Sequence, residues 1–164
     1  ISVSNLRTIS FSYWPSAGLL IVESKAGVPV LQECKTTIRE AKAQKLDELR
    51  LYDSSEEVNQ FSINKVFGWF NKSTRVGLAN SINIEREVGR SKTNIWLGDT
   101  LFILPIEKAI DMLCQLELYA LTCYNVTQGH INIINQLETK ESIEFYDFRI
   151  GYPKKLSFTG YPTL

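Results

Sequence analysis

The chain has 164 residues, enough for one domain with a real core, and is 44% hydrophobic and 22% charged, which argues against disorder and against a fibrous repeat. Its 18 basic and 18 acidic residues cancel and are scattered, so no broad positive field is offered to phosphates or to an anionic bilayer. The longest apolar run, around residues 113–124, is interrupted by Gln115, Glu117 and Thr122 and falls short of the ~20 residues that span a bilayer. A soluble chain is expected, with neither nucleic acid nor membrane as partner.

The sequence opens at Ile1, and a leader ahead of it stays open, so no location is read from a signal. Residues 6–13 and 19–22 are β-like runs separated by Trp14-Pro15-Ser16-Ala17-Gly18, whose Pro and Gly favour a turn. They predict a hairpin or two edge strands, an N-terminal β arm over residues 1–28 suited to attachment, ahead of a larger domain over 29–164. From about residue 30 to 52, Leu31, Cys34, Ile38, Ala41, Leu46 and Leu49 recur at helical spacing among lysines and glutamates, which predicts an amphipathic helix.

Asp53-Ser54-Ser55 makes a polar break. Residues 58–63 and 66–70 then flank Asn64-Lys65, where Asn tolerates the positive φ of a tight turn, and predict a second hairpin. Asn71-Lys72-Ser73-Thr74 carries capping residues. Val76, Ala79, Ile82 and Val88 share a helical face after it, and Gly89 supplies the stop. A third hairpin is predicted over 94–104 around Gly98-Asp99.

Pro105 suits a first helical turn and Glu107 complements the helix dipole. Residues 106–124 are apolar on most faces, as in a helix enclosed by other elements or by another subunit. Residues 125–129 predict a bend or break. After it, 131, 134 and 137 form a narrower apolar stripe; a short helix over 139–146 and an irregular aromatic tail follow. Strands joined as hairpins between helices predict an α+β fold: small antiparallel sheets packed with three to four helices, the long C-terminal one buried.

The chemical inventory is sparse. Cys34, Cys114 and Cys123 are odd in number, and the last two lie on opposite faces of a continuous helix, so buried free thiols are expected rather than a disulfide framework. His130 is the single histidine, which excludes an HExxH site. Cys123 precedes it by two helical turns, ~10 Å, too far for a nucleophile pair. Gly68, Gly77, Gly89 and Gly98 lack the spacing of a phosphate loop. Acid pairs such as Glu56-Glu57, Glu85 with Glu87 and Glu138 with Glu141 lie in polar stretches and read as solvated surface. Trp14, Trp69 and Trp96 could stack sugars, but alternation in hairpins favours core packing. No catalytic, cofactor-binding or metal-ligating residue is assigned, and no cofactor is expected. In the tail, Tyr146 and Phe148 are expected to fold back on the core. Tyr152, Pro153, Leu156 and Phe158, with Trp14 in the arm, are the candidate partner contacts.

From about residue 41 onward the order of motifs resembles a domain of unknown function that recurs in tailed bacteriophages and prophages, in tail-fibre and other virion proteins. The resemblance rests on Tyr52-Asp53-Ser54-Ser55 with Val58-Asn59-Gln60-Phe61, on Trp69-Phe70-Asn71-Lys72-Ser73-Thr74-Arg75, and on Trp96-Leu97. It continues with Met112-Leu113 through Glu117-Leu118-Tyr119-Ala120, Cys123-Tyr124-Asn125-Val126-Thr127, His130 and Leu137-Glu138-Thr139, and ends in Tyr146-Asp147-Phe148-Arg149-Ile150-Gly151-Tyr152-Pro153-Lys154-Lys155-Leu156. It implies a non-enzymatic structural or assembly protein of the virion, found there or in the host cytoplasm before assembly. Its partners would be copies of itself and other virion proteins. Two alternatives stand beside it: a module that binds or cleaves a host-surface glycan, and an accessory or regulatory phage protein that stays outside the particle.

Overall fold

A computed structural model describes residues 37–162 and, ahead of them, the strands β1 (Tyr13–Trp14), β2 (Leu19–Glu23) and β3 (Pro29–Glu33). These three pair antiparallel in the order β1-β2-β3, with Leu20 opposite both Tyr13 and Gln32. Most of the expected strand 6–13 and the turn residues 15–18 lie outside the described residues. The pairing of β3 with β2 corrects the expected start of the first helix: Leu31 belongs to a strand, and its helical spacing to Ile38 and Ala41 is incidental.

Helix α1 (Ile38–Ser54) starts where the chain supplies a capping box. Thr37 Oγ1 accepts from the Glu40 amide at 3.2 Å, and the Glu40 carboxylate accepts from the Thr37 amide at 2.7 Å, which satisfies two end amides at once. Strands β4 (Phe61–Ile63) and β5 (Val66–Gly68) form the second hairpin. Its two-residue turn puts both Asn64 and Lys65 at positive φ, as the type I′ geometry requires. Helix α2 (Lys72–Glu87) is capped by the Asn71 side chain at its start and followed by Gly89 at φ 79°. Strands β6 (Lys92–Leu97) and β7 (Thr100–Pro105) join through Gly98, whose φ of 57° suits the first central position of a type II′ turn.

Helix α3 (Ile106–Gln136) runs 31 residues without interruption, so the break expected at 125–129 does not occur. Asn, Thr and Gly there each cost helix propensity, about 1 kcal/mol for Gly. Burial of Thr127, His130 and Ile134 on the same face offsets that cost. The helix is buried along one face rather than all round: Ile106, Ala109, Met112, Leu116, Tyr119 and Cys123 point inward, while Leu118 and Leu121 stay exposed. The short α4 (Lys140–Glu144) follows, capped by Thr139.

The tail then returns across the domain and ends in β8 (Ser157–Phe158), which pairs parallel with β4, Ile63 against Phe158. A parallel strand from the C-terminus was not expected among antiparallel hairpins. The α+β architecture with a long C-terminal helix is otherwise as the sequence predicts, its sheet order being β5-β4-β8 beside the β6-β7 pair.

One large core joins β4, β6, β7, α2 and the first half of α3, with Phe61, Phe102, Leu104, Met112 and Leu116 wholly enclosed. Two smaller clusters sit along the second half of α3, one around Leu49, Ile134 and Phe148, the other around Val58, Tyr119 and Cys123. Strand β6 alternates with Thr93, Ile95 and Leu97 inward, so Trp96 faces out and is 60% exposed, which corrects its expected place in the core. Phe67 is likewise exposed and Trp69 half-buried. Among the described residues no helix is long and apolar enough to cross a membrane.

A methyl at Gly68 would collide with the Leu97 side chain across β5 and β6. Gly68→Ala is therefore expected to cost about 1–3 kcal/mol by overpacking, and Phe158→Ala about 3–5 kcal/mol by emptying the site β8 fills. Urea unfolding followed by tryptophan fluorescence measures both; a neutral Phe158→Ala would mean that the tail does not hold the core closed.

Candidate functional site

The second half of α3 and the returning tail build the most polar part of the interior. Thr127 and His130 lie one turn apart on the buried face of α3, opposite the tail. Thr127 Oγ1 donates to Asp53 Oδ1 at 2.6 Å; its single hydrogen being spent, the Tyr152 hydroxyl donates to it at 2.8 Å. The path therefore runs from the tail through α3 to the end of α1. His130 Nε2 lies 3.0 Å from the Ile150 carbonyl, which can only accept, so the proton of the neutral ring sits on Nε2 and Nδ1 accepts from the Tyr146 hydroxyl at 2.6 Å. The Tyr152 ring stacks on the imidazole at 5.9 Å and meets Tyr52 edge-on at 5.5 Å.

Both nitrogens of His130 are thus engaged in holding the tail. Cys123 is buried next to Tyr119 on the same continuous helix, two turns from His130. Burial pushes its thiol up from the ordinary 9.0, so it is held as the poorly nucleophilic thiol. Cys114 is exposed on the opposite face, which corrects the expectation of a buried thiol there; Cys34 lies outside the described residues.

Of the candidate contact residues, Tyr152 is half-buried in the His130 stack, and Leu156 is half-buried between two clusters of the core. Phe158 is only 8% exposed, edge-on to Phe61 at 6.2 Å. All three pack on their own domain; Phe158 has little surface left for a partner, whereas Tyr152 and Leu156 keep part of theirs exposed. Tyr146 and Phe148 fold back as expected. Pro153 is half-buried, and the side chain of Trp14 is outside the described residues.

Arg75 was not singled out by sequence. It is 7% exposed, donates from Nε to Glu117 at 2.6 Å and from Nη1 to the Phe70 carbonyl at 2.7 Å, and packs over the Trp69 ring at 5.3 Å. A signal was present, since Arg75 precedes Ile82 by seven residues and so shares its buried helical face. On one side of Arg75 lies a polar cleft of about 260 Å³ lined by Asp53, Asn59, Trp69, Lys72 and Tyr124. On the other, a groove of about 320 Å³ between α2 and α3 is lined by Val76, Ala79, Ile110, Leu113 and Cys114. No group of three or more His, Cys, Asp or Glu among the described residues is placed to hold a metal ion.

The exposed side of α3 is the other feature the sequence reading missed. Leu118 is 65% and Leu121 54% exposed, and from Leu118 to Gln136 the helix carries no Asp, Glu, Lys or Arg. Solvated helical faces ordinarily carry charges, whereas the cores of protein interfaces are depleted of them. Comparison of the chain with protein-family models, with curated proteins and with solved structures returns no match.

His130→Ala removes both hydrogen bonds and the stacking surface, and is expected to cost about 2–3 kcal/mol and to speed amide exchange across residues 147–152. Unchanged exchange there would show that the tail is held elsewhere. Burial raises the hydroxyl pKa of Tyr119, Tyr146, Tyr152 and Tyr161 above the ordinary 10.0. With folded-state values above unfolded ones, the stabilisation is complete below pH 10 and is lost as pH rises through the raised values. Stability measured against pH is expected to fall above pH 10, in step with phenolate absorbance; a flat profile would show these tyrosines to be freely ionised.

Proposed function

We propose that this chain is a non-enzymatic structural or assembly protein of a tailed bacteriophage, a component of a tail fibre, baseplate or head decoration, acting through protein–protein contact. The observation that carries the contact-making part is the outer face of α3 from Leu118 onward, which carries no Asp, Glu, Lys or Arg and exposes Leu118 and Leu121. The phage setting rests on the resemblance of the motif order from about residue 41 to Leu156. The buried polar groups fit that role, because His130, Thr127 and two of the donors of Arg75 are turned to protein partners that brace the fold.

A second reading, glycan binding, is favoured by the polar cleft beside Arg75, where Trp69 and Tyr124 offer aromatic surface next to Asn59 and Lys72. Asp53 is the single carboxylate among its lining residues and is engaged by Thr127. Glycoside cleavage needs two carboxyl groups, so this reading is one of binding rather than hydrolysis.

Mass spectrometry of purified particles of the encoding phage is the deciding experiment. The chain is expected in the particle at a fixed ratio to other virion proteins. Its confinement to the infected-cell extract would overturn the structural role in favour of an accessory factor.

A further inference from the structure

The polar cleft beside Arg75 holds donors and acceptors that the fold leaves unused. A guanidinium carries its N–H donors in one planar fork. Arg75 commits Nε to Glu117 and Nη1 to the Phe70 carbonyl, and no described residue accepts from Nη2. Glu117 lines the apolar groove on the other side of Arg75, so Nε is engaged there and Nη2 is the end left for the polar cleft. The residue is only 7% exposed, and a buried charged donor without a full set of acceptors is costly to leave so. An oxyanion entering the cleft relieves that cost.

The walls of the cleft come from different elements and differ in kind. The first turn of α2 supplies donors: Arg75, and Lys72, which is exposed and joined to no carboxylate among the described residues. Helix starts favour anions, and this first turn holds no acidic residue. The end of α1 and the turn after it supply acceptors. Asp53 takes the Thr127 hydroxyl on Oδ1 and keeps Oδ2; Asn59 donates from Nδ2 to the Asp53 carbonyl at 2.5 Å and keeps its side-chain oxygen. Tyr124, 57% exposed at the rim, adds an aromatic face. At about 260 Å³ the cleft falls just under the ~300–1,000 Å³ of sites for drug-sized molecules, which suits a single sugar ring.

We propose that this cleft binds an acidic saccharide, a sugar ring bearing a carboxylate, with the carboxylate on Arg75 Nη2 and Lys72 and the ring hydroxyls on Asp53 and Asn59. The proposal rests on the glycan-binding reading and narrows it to one chemical class. A planar carboxylate matches the fork of a guanidinium, and hydroxyls donate to the free carboxylate and amide oxygens. A neutral sugar offers Arg75 and Lys72 an uncharged oxygen, whose bonds are roughly half as strong. A simple carboxylate leaves Asp53 and Asn59 without donors. The negative charge of Asp53 sets the orientation, since it repels the ligand's carboxylate toward the α2 wall.

Matched sugars separate these contributions. Glucuronate and glucose differ only at the last carbon, carboxylate against hydroxymethyl, as do galacturonate and galactose. Acetate carries the carboxylate without the ring, and N-acetylneuraminate is a third acid of different shape. In titrations of the full chain followed by NMR, at least one of the three acids is expected to shift the Trp69 indole, the Asn59 side-chain amide and the Lys72 amide. It is expected to bind about tenfold or more tighter than the neutral sugars or acetate. Lys72→Gln is expected to weaken the acid by about tenfold, leave neutral sugars unaffected and keep the thermal midpoint, because the side chain is exposed.

Acid and neutral sugars binding equally would overturn the acidic class and leave glycan binding standing. Silence of every sugar in a folded chain would remove both. Acetate binding as tightly as the best acid, or binding of that acid that survives Lys72→Gln undiminished, would also overturn the proposal.

Discussion

Burial of one face of α3 along its full length governs the arrangement of everything described around it. At about 1.5 Å per residue a helix of 31 residues spans about 46 Å, longer than one compact core requires. Its first half closes the main core under β6, β7 and α2, where Ala109, Met112 and Leu116 are wholly buried. Its second half projects beyond that core and would expose His130 and Ile134 to water. The chain covers this overhang with α1, α4 and the tail, which is why three clusters line up on a single helix.

Covering the overhang places polar groups in the interior, and the fold meets their cost with specific partners. Thr127 and His130 would be poor choices for a buried face if left alone, since an unsatisfied buried polar group costs about 1–3 kcal/mol. Each is answered by a tyrosine of the tail, and Thr127 also by Asp53. Because these bonds are directional, they hold the tail in one register over α3, which an apolar contact alone would not require. From there the chain reaches β4 and adds β8, so the parallel pairing follows from where the latch releases the backbone. The lone histidine acts here as a fastener of the polypeptide, with its tautomer set by the Ile150 carbonyl.

The inner and outer faces of α3 differ in kind. The inner face makes its polar contacts within the chain; the outer face keeps amides, a thiol and two leucines in solvent and carries no charge beyond Glu117. Arg75 marks the border between them, its guanidinium drawn under Trp69 and toward Glu117. A helix that reads as apolar on most sides thus splits into a core-forming stripe and an external stripe that is charged up to Glu117 and free of Asp, Glu, Lys and Arg from Leu118 onward. Burial distinguishes the two, because leucines at 116 and 118 are equivalent by composition and opposite by environment.

Features governed by neighbours in sequence were legible from sequence alone. The Asn64-Lys65 and Gly98 turns depend on local φ, the Asn71 cap and the Gly89 stop on end amides and carbonyls, and the third hairpin on its alternation. The sequence likewise determined that Cys114 and Cys123 point opposite ways and that Cys123 and His130 stay two turns apart, because helical geometry is rigid over that distance. The tertiary structure decided the rest. It turned Thr93, Ile95 and Leu97 rather than Trp96 inward, because alternation marks two faces without saying which one meets the core. It carried α3 through Gly129, because contacts with remote segments outweighed a local propensity of about 1 kcal/mol. It packed Tyr152, Leu156 and Phe158 on the chain's own core, because pairing β8 with β4 joins residues far apart in sequence, and no local pattern encodes such a contact.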